Sequence, residues 1–418
     1  MADPSDRPLV VVIGASLAGL RAAETLCQAD DPPRVVVVGA EPHRPYDRPP
    51  LSKKLLAGEW DADRVQLRQA EAFDQLDVDW RLGVEAVGLT IGSSVRGGRS
   101  VELSDGSSIV ADGVVIATGA RARTLPGQAE LDHVHVLRTL DDALALRADL
   151  AAGDRQIVVI GAGFIGLEAA ATARSLGNDV VVLEGAPAPL TRAVGAEIGS
   201  AVAALHADRG VEVRCGVRIE SLTDDAVVLA DGERVPADVI VVGIGVDPVT
   251  DWLDGSGLEL RDGVVCDRFL QAQRVDGTPA TGVFAAGDVA RWPNELFGEE
   301  MRVEHWTNAA EQGARAADNL LCSLRGGDAE AYAPLPFFWS DQYDHRIQFL
   351  GRAGADDEVR VVAGSIEERK FLALFGRDGR LRGALGVNAP RWVMPMRRHF
   401  LEGTSWDDAL TAAAELSA

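Results

Sequence analysis

The chain has 418 residues and a formal net charge of −23, from 41 Lys+Arg against 64 Asp+Glu. That length allows two to three domains, and 47% hydrophobic with 25% charged residues fits a soluble globular enzyme. The acidic balance excludes nucleic acid and anionic membrane as bulk partners.

The opening stretch MADPSDRPLV carries neither a basic n-region nor an apolar h-region. No apolar run approaches the about 18 residues of a membrane span, so neither secretion nor membrane insertion is expected. Residues 9–26 then read LVVVIGASLAGLRAAETL. An apolar strand, Leu9–Ile13, runs into a glycine turn and a helix, Leu17–Cys27, as in a dinucleotide-binding βα unit. The next strand, Arg34–Val38, leads to Glu41. The pattern Gly-x-Gly-x-x-Gly appears as Gly14, Ser16, Gly19. Its middle glycine lets backbone approach a pyrophosphate without a Cβ in the way. Ser16 therefore either donates its hydroxyl to a phosphate oxygen or faces away from the ligand.

Asp112–Gly119, DGVVIATG, is an apolar strand ending in small residues and closes the first nucleotide domain. Residues 156–184, QIVVIGAGFIGLEAAATARSLGNDVVVLE, repeat the layout with the fingerprint complete. Gly161, Gly163 and Gly166 follow the strand Ile157–Ile160, and Gly177 stops the helix near Leu176. The strand Val180–Leu183 ends in Glu184. An acidic residue there hydrogen-bonds a ribose 2′-hydroxyl and repels a 2′-phosphate. The next basic residue is Arg192, so the site reads as one for NADH rather than NADPH. Asp238–Gly245, DVIVVGIG, closes this second domain. Two nucleotide folds in one chain imply two nucleotides, and FAD plus NADH is the economical pairing. Val283–Asp288, VFAAGD, sets an aspartate at a strand end. There Asp288 could bind ribityl hydroxyls while the start of a following helix approaches the flavin or its phosphates.

Beyond about residue 327 the pattern turns strand-like: FFWSDQ, IQFLG, VRVVAG and FLALFGRDGRLRGALGV, with Asp378-Gly379 as a hairpin turn. A helical stretch near 397–416 follows. Between Gly379 and Leu401 there is no Asp or Glu, but there are Arg380, Arg382, Arg391, Arg397 and Arg398. The block is either a docking face for an acidic protein or a solvated basic surface. Cys27, Cys215, Cys266 and Cys322 show neither metal-ligand nor disulfide spacing, so no metal is expected and a reducing cytoplasm fits. His43, His133, His135, His206, His345 and His399 likewise lack ligand spacing and read as surface or turn residues.

The segments GASLAG, RPYDRPPLSKKLL, IATGAR, GAGFIGLE, GIGVDP, FAAGDVARW, VEHWTNAAEQG and FFWSDQY span almost the whole chain. Through them it resembles flavin-dependent pyridine-nucleotide oxidoreductases, and among these the ferredoxin reductases of bacterial oxygenase systems, of the putidaredoxin reductase and biphenyl-dioxygenase ferredoxin reductase type. The resemblance implies an α/β fold with two Rossmann-like dinucleotide-binding domains, glutathione-reductase-like, plus a small C-terminal α+β domain. Residues 1–118 and 244–326 would bind FAD and residues 119–243 NADH. Residues 327–418 would cover the flavin and form part of the docking face.

Carried over residue by residue, the resemblance implies FAD contacts from Gly14, Ser16, Leu17, Ala18, Gly19, Glu41, Arg48, Lys53, Ala86, Arg138, Asp288 and Trp306. Glu41 would hold the adenosine ribose, where the usual Asp one step earlier is Ala40 here. Arg48 and Lys53 would meet the phosphates and flavin edge, and Pro49 would lie against the isoalloxazine. Arg138 would reach the adenine end, Asp288 the ribityl chain and Trp306 the pyrimidine edge. NADH would be held by Gly161, Gly163, Phe164, Ile165, Gly166, Glu184 and Gly245. The implied catalytic set is Lys53, Glu168 and Glu304. The two carboxylates would line the nicotinamide pocket and favour the positive charge that grows there. Lys53 would either stabilise negative charge on reduced flavin or pair structurally with a buried glutamate. His305, between Glu304 and Trp306, lines the pocket or belongs to the turn.

Disulfide reductases of this fold carry a cysteine pair after the first ribose strand. Residues 42–60, PHRPYDRPPLSKKLLAGEW, contain none, which excludes dithiol chemistry there. The implied function is NADH-dependent ferredoxin reduction: hydride from NADH to FAD, then single electrons to an iron–sulfur ferredoxin feeding a monooxygenase or a Rieske-type dioxygenase. The same scaffold also suits an NADH:rubredoxin, quinone or small-acceptor reductase, or a redox-gated interaction protein resembling apoptosis-inducing factor. The basic block leans toward a protein acceptor, and the net charge opposes DNA binding. A cytoplasmic monomer or weak homodimer, without nucleic-acid or membrane partners, is expected.

Overall fold

In the computed structural model, which describes residues 7–92, 98–354 and 356–416, valine-rich runs become strands buried on both faces. The chain divides into two units, the first formed by Met1–Asp47, Gln66–Arg121 and Asp247–Pro334. Its six-stranded sheet runs Gln271–Gln273, Pro279–Ala285, Gly113–Ile116, Leu9–Ile13, Arg34–Gly39, Val78–Leu82. Five strands are parallel, and the edge strand Gln271–Gln273 is antiparallel to its neighbour. Val10–Val12, Val35–Val38 and Val114–Ile116 are all buried, as expected of a parallel sheet covered on both sides. The helices Leu17–Cys27 and Trp306–Arg325 cross closely, because a Cβ on Gly313 would overlap the Ala18 carbonyl.

The expected helix after Asp288 does not form. A 3-10 turn, Gly287–Val289, leads instead into the strand Ala290–Asn294, which pairs with Val264–Val265 and Glu299–Met301. Its alternating burial is the period-2 pattern of a strand. The helix of this region begins only at Trp306.

The second unit comprises Arg48–Val65, Ala122–Val246 and Leu335–Ala418. Its nucleotide-type sheet is wholly parallel, in the order Glu212–Cys215, Asp179–Glu184, Gln156–Ile160, Val239–Val242, Val134–Val136. The helix Phe164–Ser175 follows the glycine loop, and Gly177, at φ +88°, lies just beyond its end. A five-stranded antiparallel sheet, Phe337–Gln342, His345–Gly351, Arg380–Val387, Lys370–Arg377, Glu358–Ser365, belongs to the same unit. Asp378 and Gly379 turn its hairpin with both φ values positive, at 52° and 69°. One core joins the two sheets through Leu56, Val159, Val241, Phe349, Phe371 and Leu385. Three short helices, Pro390–Val393, Met396–Leu401 and Trp406–Glu415, end the chain.

The histidines correct one expectation. His206, on the helix Thr191–Ala207, is fully buried rather than at the surface, and His135 pairs with Asp149 at 2.7 Å. A neutral imidazole offers one donor and one acceptor, and the partners that satisfy His206, Gln342 and Tyr343, lie more than a hundred residues away. No local spacing reveals them.

Candidate functional site

Two glycine loops set the stage, one in each unit. In the first, Gly14 sits at φ +118°, and a Cβ there would overlap the Ala117 carbonyl; one on Gly19 would overlap Gly14. Only glycine packs this way. Ser16 is the N-cap of the helix Leu17–Cys27 yet makes no side-chain cap bond, and the first helical turn has no acidic residue. Its hydroxyl and the free N–H groups of that turn suit an anion. Leu17 is half-buried, Ala18 is buried, and Ala86 begins the strand Ala86–Ile91. Glu41 accepts a hydrogen bond from the Tyr46 hydroxyl.

Asp288, half-buried in its turn, follows Gly287, whose N–H donates to Gln312 Oε1 at 2.8 Å. Gln312 is fully buried, and its Nε2 has no partner among the described residues. Trp306 is partly exposed, and its indole N–H donates to Asp47 at 2.7 Å. Between them stands His305, whose imidazole burial pushes down to about 4, partly offset by the Asp288 charge, leaving it neutral at physiological pH. Glu304 is exposed and paired with Arg302 at 2.6 Å. A glycine cradle, an uncapped helix start and an orphaned buried amide fit a bound dinucleotide such as FAD.

In the second unit, Gly161 is at φ +101°, and a Cβ on it would overlap the Gly243 carbonyl; one on Gly166 would overlap Gly161. Gly163 differs, since nothing lies within 4 Å of a Cβ placed there. Its lack of a side chain serves no packing need of the protein and leaves room for a ligand. Ile165, exposed by 49%, projects from the first helical turn beside it. Phe164 packs edge-on against Phe338 at 4.8 Å, which ties this helix start to the C-terminal sheet. The Glu184 carboxylate accepts N–H bonds from Ala162 and Ala186, each at 2.7 Å, so it is held at the loop before any ribose arrives. Gly245 is exposed at φ +102° beside Arg123. These features fit NADH.

The same unit brings Lys53 and Glu168 together. Lys53 Nζ is 2.5 Å from Glu168 Oε2, with the glutamate side chain only 2% exposed. The Ser52 hydroxyl donates to the same oxygen at 2.5 Å, and Ser340 donates to Oε1 at 2.6 Å. Thr172, one helical turn beyond Glu168, donates to the Ser52 carbonyl at 2.8 Å and anchors the 3-10 turn Pro49–Ser52. Arg48, capping that turn, donates to the Arg138 carbonyl at 2.5 Å. Two implied FAD contacts are thus neighbours, although 90 residues separate them. Glu304, the third member of the implied catalytic set, belongs to the other unit.

Sequence reasoning missed Ser52, Ser340, Gln342, Gln312 and Asp47 as parts of these arrangements. Ser340 and Gln342 carried a faint signal. They are polar residues two apart on a strand, hence on one face, and both are buried where Asp341 between them is not.

Residues 8–313 match the model of the pyridine nucleotide-disulphide oxidoreductase family, and residues 337–417 match the reductase C-terminal family. The chain belongs to the first, and its C-terminal segment matches the second. The anthranilate 1,2-dioxygenase system ferredoxin–NAD(+) reductase component of Burkholderia cepacia is 38% identical over 403 residues, 95% of each chain. Rhodocoxin reductase of Rhodococcus erythropolis is 36% identical, covering 93% of this chain and 88% of its own. The crystal structure of the covalent putidaredoxin reductase–putidaredoxin complex matches with a TM-score of 0.86 at 30% identity, covering 98% of this chain and 99% of that one. Ferredoxin–NAD(+) reductases of this family use FAD and NADH, and this chain is an oxidoreductase of that group.

Despite the family's name, this oxidoreductase has no cysteine in residues 42–60. Burial pushes the Cys27 thiol up to about 11 and raises Cys215 and Cys266 as well, which favours the thiol over the thiolate at all three. Among the described residues no helix is long and apolar enough to cross a membrane, and no group of His, Cys, Asp or Glu could hold a metal ion. On the C-terminal helices Arg391, Arg397 and Arg398 are exposed, as is Arg380 at the hairpin, while Arg382 is half-buried. Arg398 pairs with Glu402 at 2.7 Å. Met394 and Leu401 stand exposed among these arginines, Leu401 by 60%.

Proposed function

We propose that this oxidoreductase takes hydride from NADH onto FAD and passes single electrons to an iron–sulfur ferredoxin that feeds a monooxygenase or a Rieske-type dioxygenase. One observation carries the reading: two nucleotide-type glycine loops stand in one chain whose stretch 42–60 offers no thiol, so reducing equivalents must leave to an external acceptor. The printed names of the relatives point the same way, since one is a dioxygenase-system ferredoxin–NAD(+) reductase component and one is a reductase bound to putidaredoxin.

In this reading residues 1–118 and 244–326 bind FAD, 119–243 bind NADH and 327–418 complete the reductase. Bound FAD supplies the conversion of one hydride into two single electrons. The chain's own residues bind, orient and tune. Gly14, Ser16, Leu17, Ala18 and Gly19 present the helix start to the pyrophosphate, and Asp288 and Glu41 hold hydroxyl groups. Arg48 and Arg138 hold the phosphates and the adenine end, with Ala86 and Trp306 as further contacts. Gly161, Gly163, Phe164, Ile165, Gly166, Glu184 and Gly245 seat NADH, and Glu184 disfavours a 2′-phosphate. Glu168 and Glu304 offer negative charge where the nicotinamide becomes positive, and Lys53 offers positive charge to the reduced ring. The pair therefore orients and tunes without acting as an acid or base. The basic block Arg380, Arg382, Arg391, Arg397 and Arg398, with Met394 and Leu401 as apolar anchors, meets the acidic ferredoxin.

The test is anaerobic stopped-flow reduction by NADH and by NADPH, followed on the flavin absorbance. Cytochrome c reduction is then measured with and without a [2Fe–2S] ferredoxin. Fast bleaching by NADH, slow bleaching by NADPH and ferredoxin-dependent cytochrome c reduction are expected. A colourless protein, or cytochrome c reduction indifferent to ferredoxin, would overturn the reading.

A further inference from the structure

Glu168 is the inner end of a longer hydrogen-bond chain. The Tyr343 hydroxyl lies 3.2 Å from His206 Nδ1, and His206 Nε2 lies 2.9 Å from Gln342 Oε1. Gln342 Nε2 donates to Ser340 Oγ at 3.1 Å, and Ser340 Oγ donates to Glu168 Oε1 at 2.6 Å. His206, Gln342 and Ser340 are all fully buried. Tyr343 is the outer end, its ring lying 5.2 Å from the Arg209 guanidinium, which pairs with exposed Asp344.

The chemistry of each link fixes the direction. An amide oxygen only accepts, so His206 must carry its proton on Nε2 and leave Nδ1 to accept from Tyr343. Burial lowers the His206 pKa, which keeps the ring neutral and the direction intact at physiological pH. The amide nitrogen only donates, so the Ser340 oxygen receives and its proton is left for Glu168. Every donor thus points toward one carboxylate. With Oε1 taken by Ser340, the Lys53 ammonium and the Ser52 hydroxyl share Oε2.

We infer that His206, Gln342 and Ser340 are positioning residues that reach Lys53 through Glu168, fixing which carboxylate oxygen receives the ammonium and hence where its charge stands. The inference rests on the proposed role of Lys53 and Glu168 beside the reacting rings. Without the Gln342 donor the Ser340 hydroxyl can turn away, the carboxylate loses one of its fixed bonds and the ammonium gains a second resting place. A hydrogen bond to a charged group is the interaction lost, which corresponds to about a tenfold effect on a step that depends on it.

The test uses FAD-loaded protein with His206→Leu, Gln342→Met and His206→Gln, the last retaining a side-chain amide donor near the Nε2 position. Three quantities are read: the limiting rate and NADH dissociation constant of anaerobic flavin reduction, the flavin midpoint potential, and the melting temperature. His206→Leu and Gln342→Met should be reduced about tenfold more slowly, with unchanged NADH affinity and a shifted potential, while His206→Gln stays near wild type. Wild-type rate and potential in both apolar variants, whatever their melting temperatures, would reduce these residues to core filling and overturn the inference. If His206→Leu does not fold, the near-isosteric Gln342→Met decides alone. Ring 15N shifts give a readout free of turnover: a neutral Nε2–H tautomer is expected for His206, and an Nδ1–H tautomer would break the chain's direction. A wild type that NADH fails to reduce would instead sink the functional reading, and the relay's role with it.

Discussion

Lys53 Nζ lies 2.5 Å from Glu168 Oε2, although the two residues are 115 positions apart. Their side chains are 18% and 2% exposed, so the pair is largely taken from water. Breaking such a pair from one side strands the remaining charge, which costs about 3–5 kcal/mol when burial is complete. Glu168→Ala should lose about 3 kcal/mol, the lower end, because Lys53 keeps some access to solvent. The double variant with Lys53→Met should recover much of that loss. Urea titrations followed by circular dichroism read both, and a fully stable Glu168→Ala protein would count against the pairing.

The two glycines of the second loop predict separable effects. Gly161→Ala forces a side chain into a left-handed backbone and against the Gly243 carbonyl, so it should lower the melting temperature. Gly163→Ala places its methyl in open space, so the fold should be unaffected. NADH affinity should instead fall about tenfold or more, because the pyrophosphate needs that space. Calorimetry and NADH titration on the same samples distinguish the two. Equal NADH affinity in Gly163→Ala would mean the loop does not receive the pyrophosphate.

Glu184 does two jobs at once, holding the loop through Ala162 and Ala186 and presenting a negative edge to the ribose. Glu184→Gln keeps one acceptor and removes the charge. The ratio of kcat/KM for NADPH over NADH should rise about tenfold, the order expected of one lost charge repulsion. Glu184→Ala should also weaken NADH, since the backbone donors of the loop are then left unpaired. An unchanged cofactor ratio in both variants would remove Glu184 from the ribose site.

His305 makes stability depend on pH with a definite sign. Its folded-state pKa, about 4, is below the ordinary 6.5, so the unfolded chain takes up the proton first as pH falls. The stabilising contribution is complete above about pH 6.5 and is lost progressively toward about pH 4. His206, lowered by burial, acts in the same direction. His305 is the N-cap of the helix Trp306–Arg325, and asparagine is a good N-cap, so His305→Asn preserves the helix start while removing the titration. Urea midpoints measured from about pH 7 to about pH 5 should fall less steeply in His305→Asn than in wild type. Parallel curves would place the His305 ring in water.

The nucleotide-type sheets were legible because their determinants are local. Valine runs, glycine turns and the terminal acids Glu41 and Glu184 all lie within one βα unit, and the Asp378-Gly379 hairpin needs only two residues. The Lys53–Glu168 pair was legible only as an alternative, because its two members lie on separate elements and only folding decides whether they meet. The His206 chain was not legible at all, since it is written across the helix Thr191–Ala207 and the strand Phe337–Gln342, with 136 positions between His206 and Gln342. The strand after Asp288 was misread as a helix because an apolar strand ending in small residues, here Ala285, Ala286 and Gly287, usually announces one.

The basic block completes the set. Leu401 follows Arg397 and Arg398 by four and three positions on the helix Met396–Leu401, so the three share one face, while Met396 and Phe400 turn inward. Arg398 is partly neutralised by Glu402, which leaves Arg397 as the better test of charge. Arg397→Glu should raise the KM for a [2Fe–2S] ferredoxin several-fold and flatten its dependence on salt, through a slower encounter. Leu401→Ala should raise the KM with the salt dependence unchanged, because it removes apolar contact rather than charge. Both variants should be bleached by NADH at the wild-type rate, since neither residue is part of the nucleotide loops. Ferredoxin-dependent cytochrome c reduction at varied ionic strength measures all of this. Wild-type KM values in both would move the docking face away from the C-terminal helices.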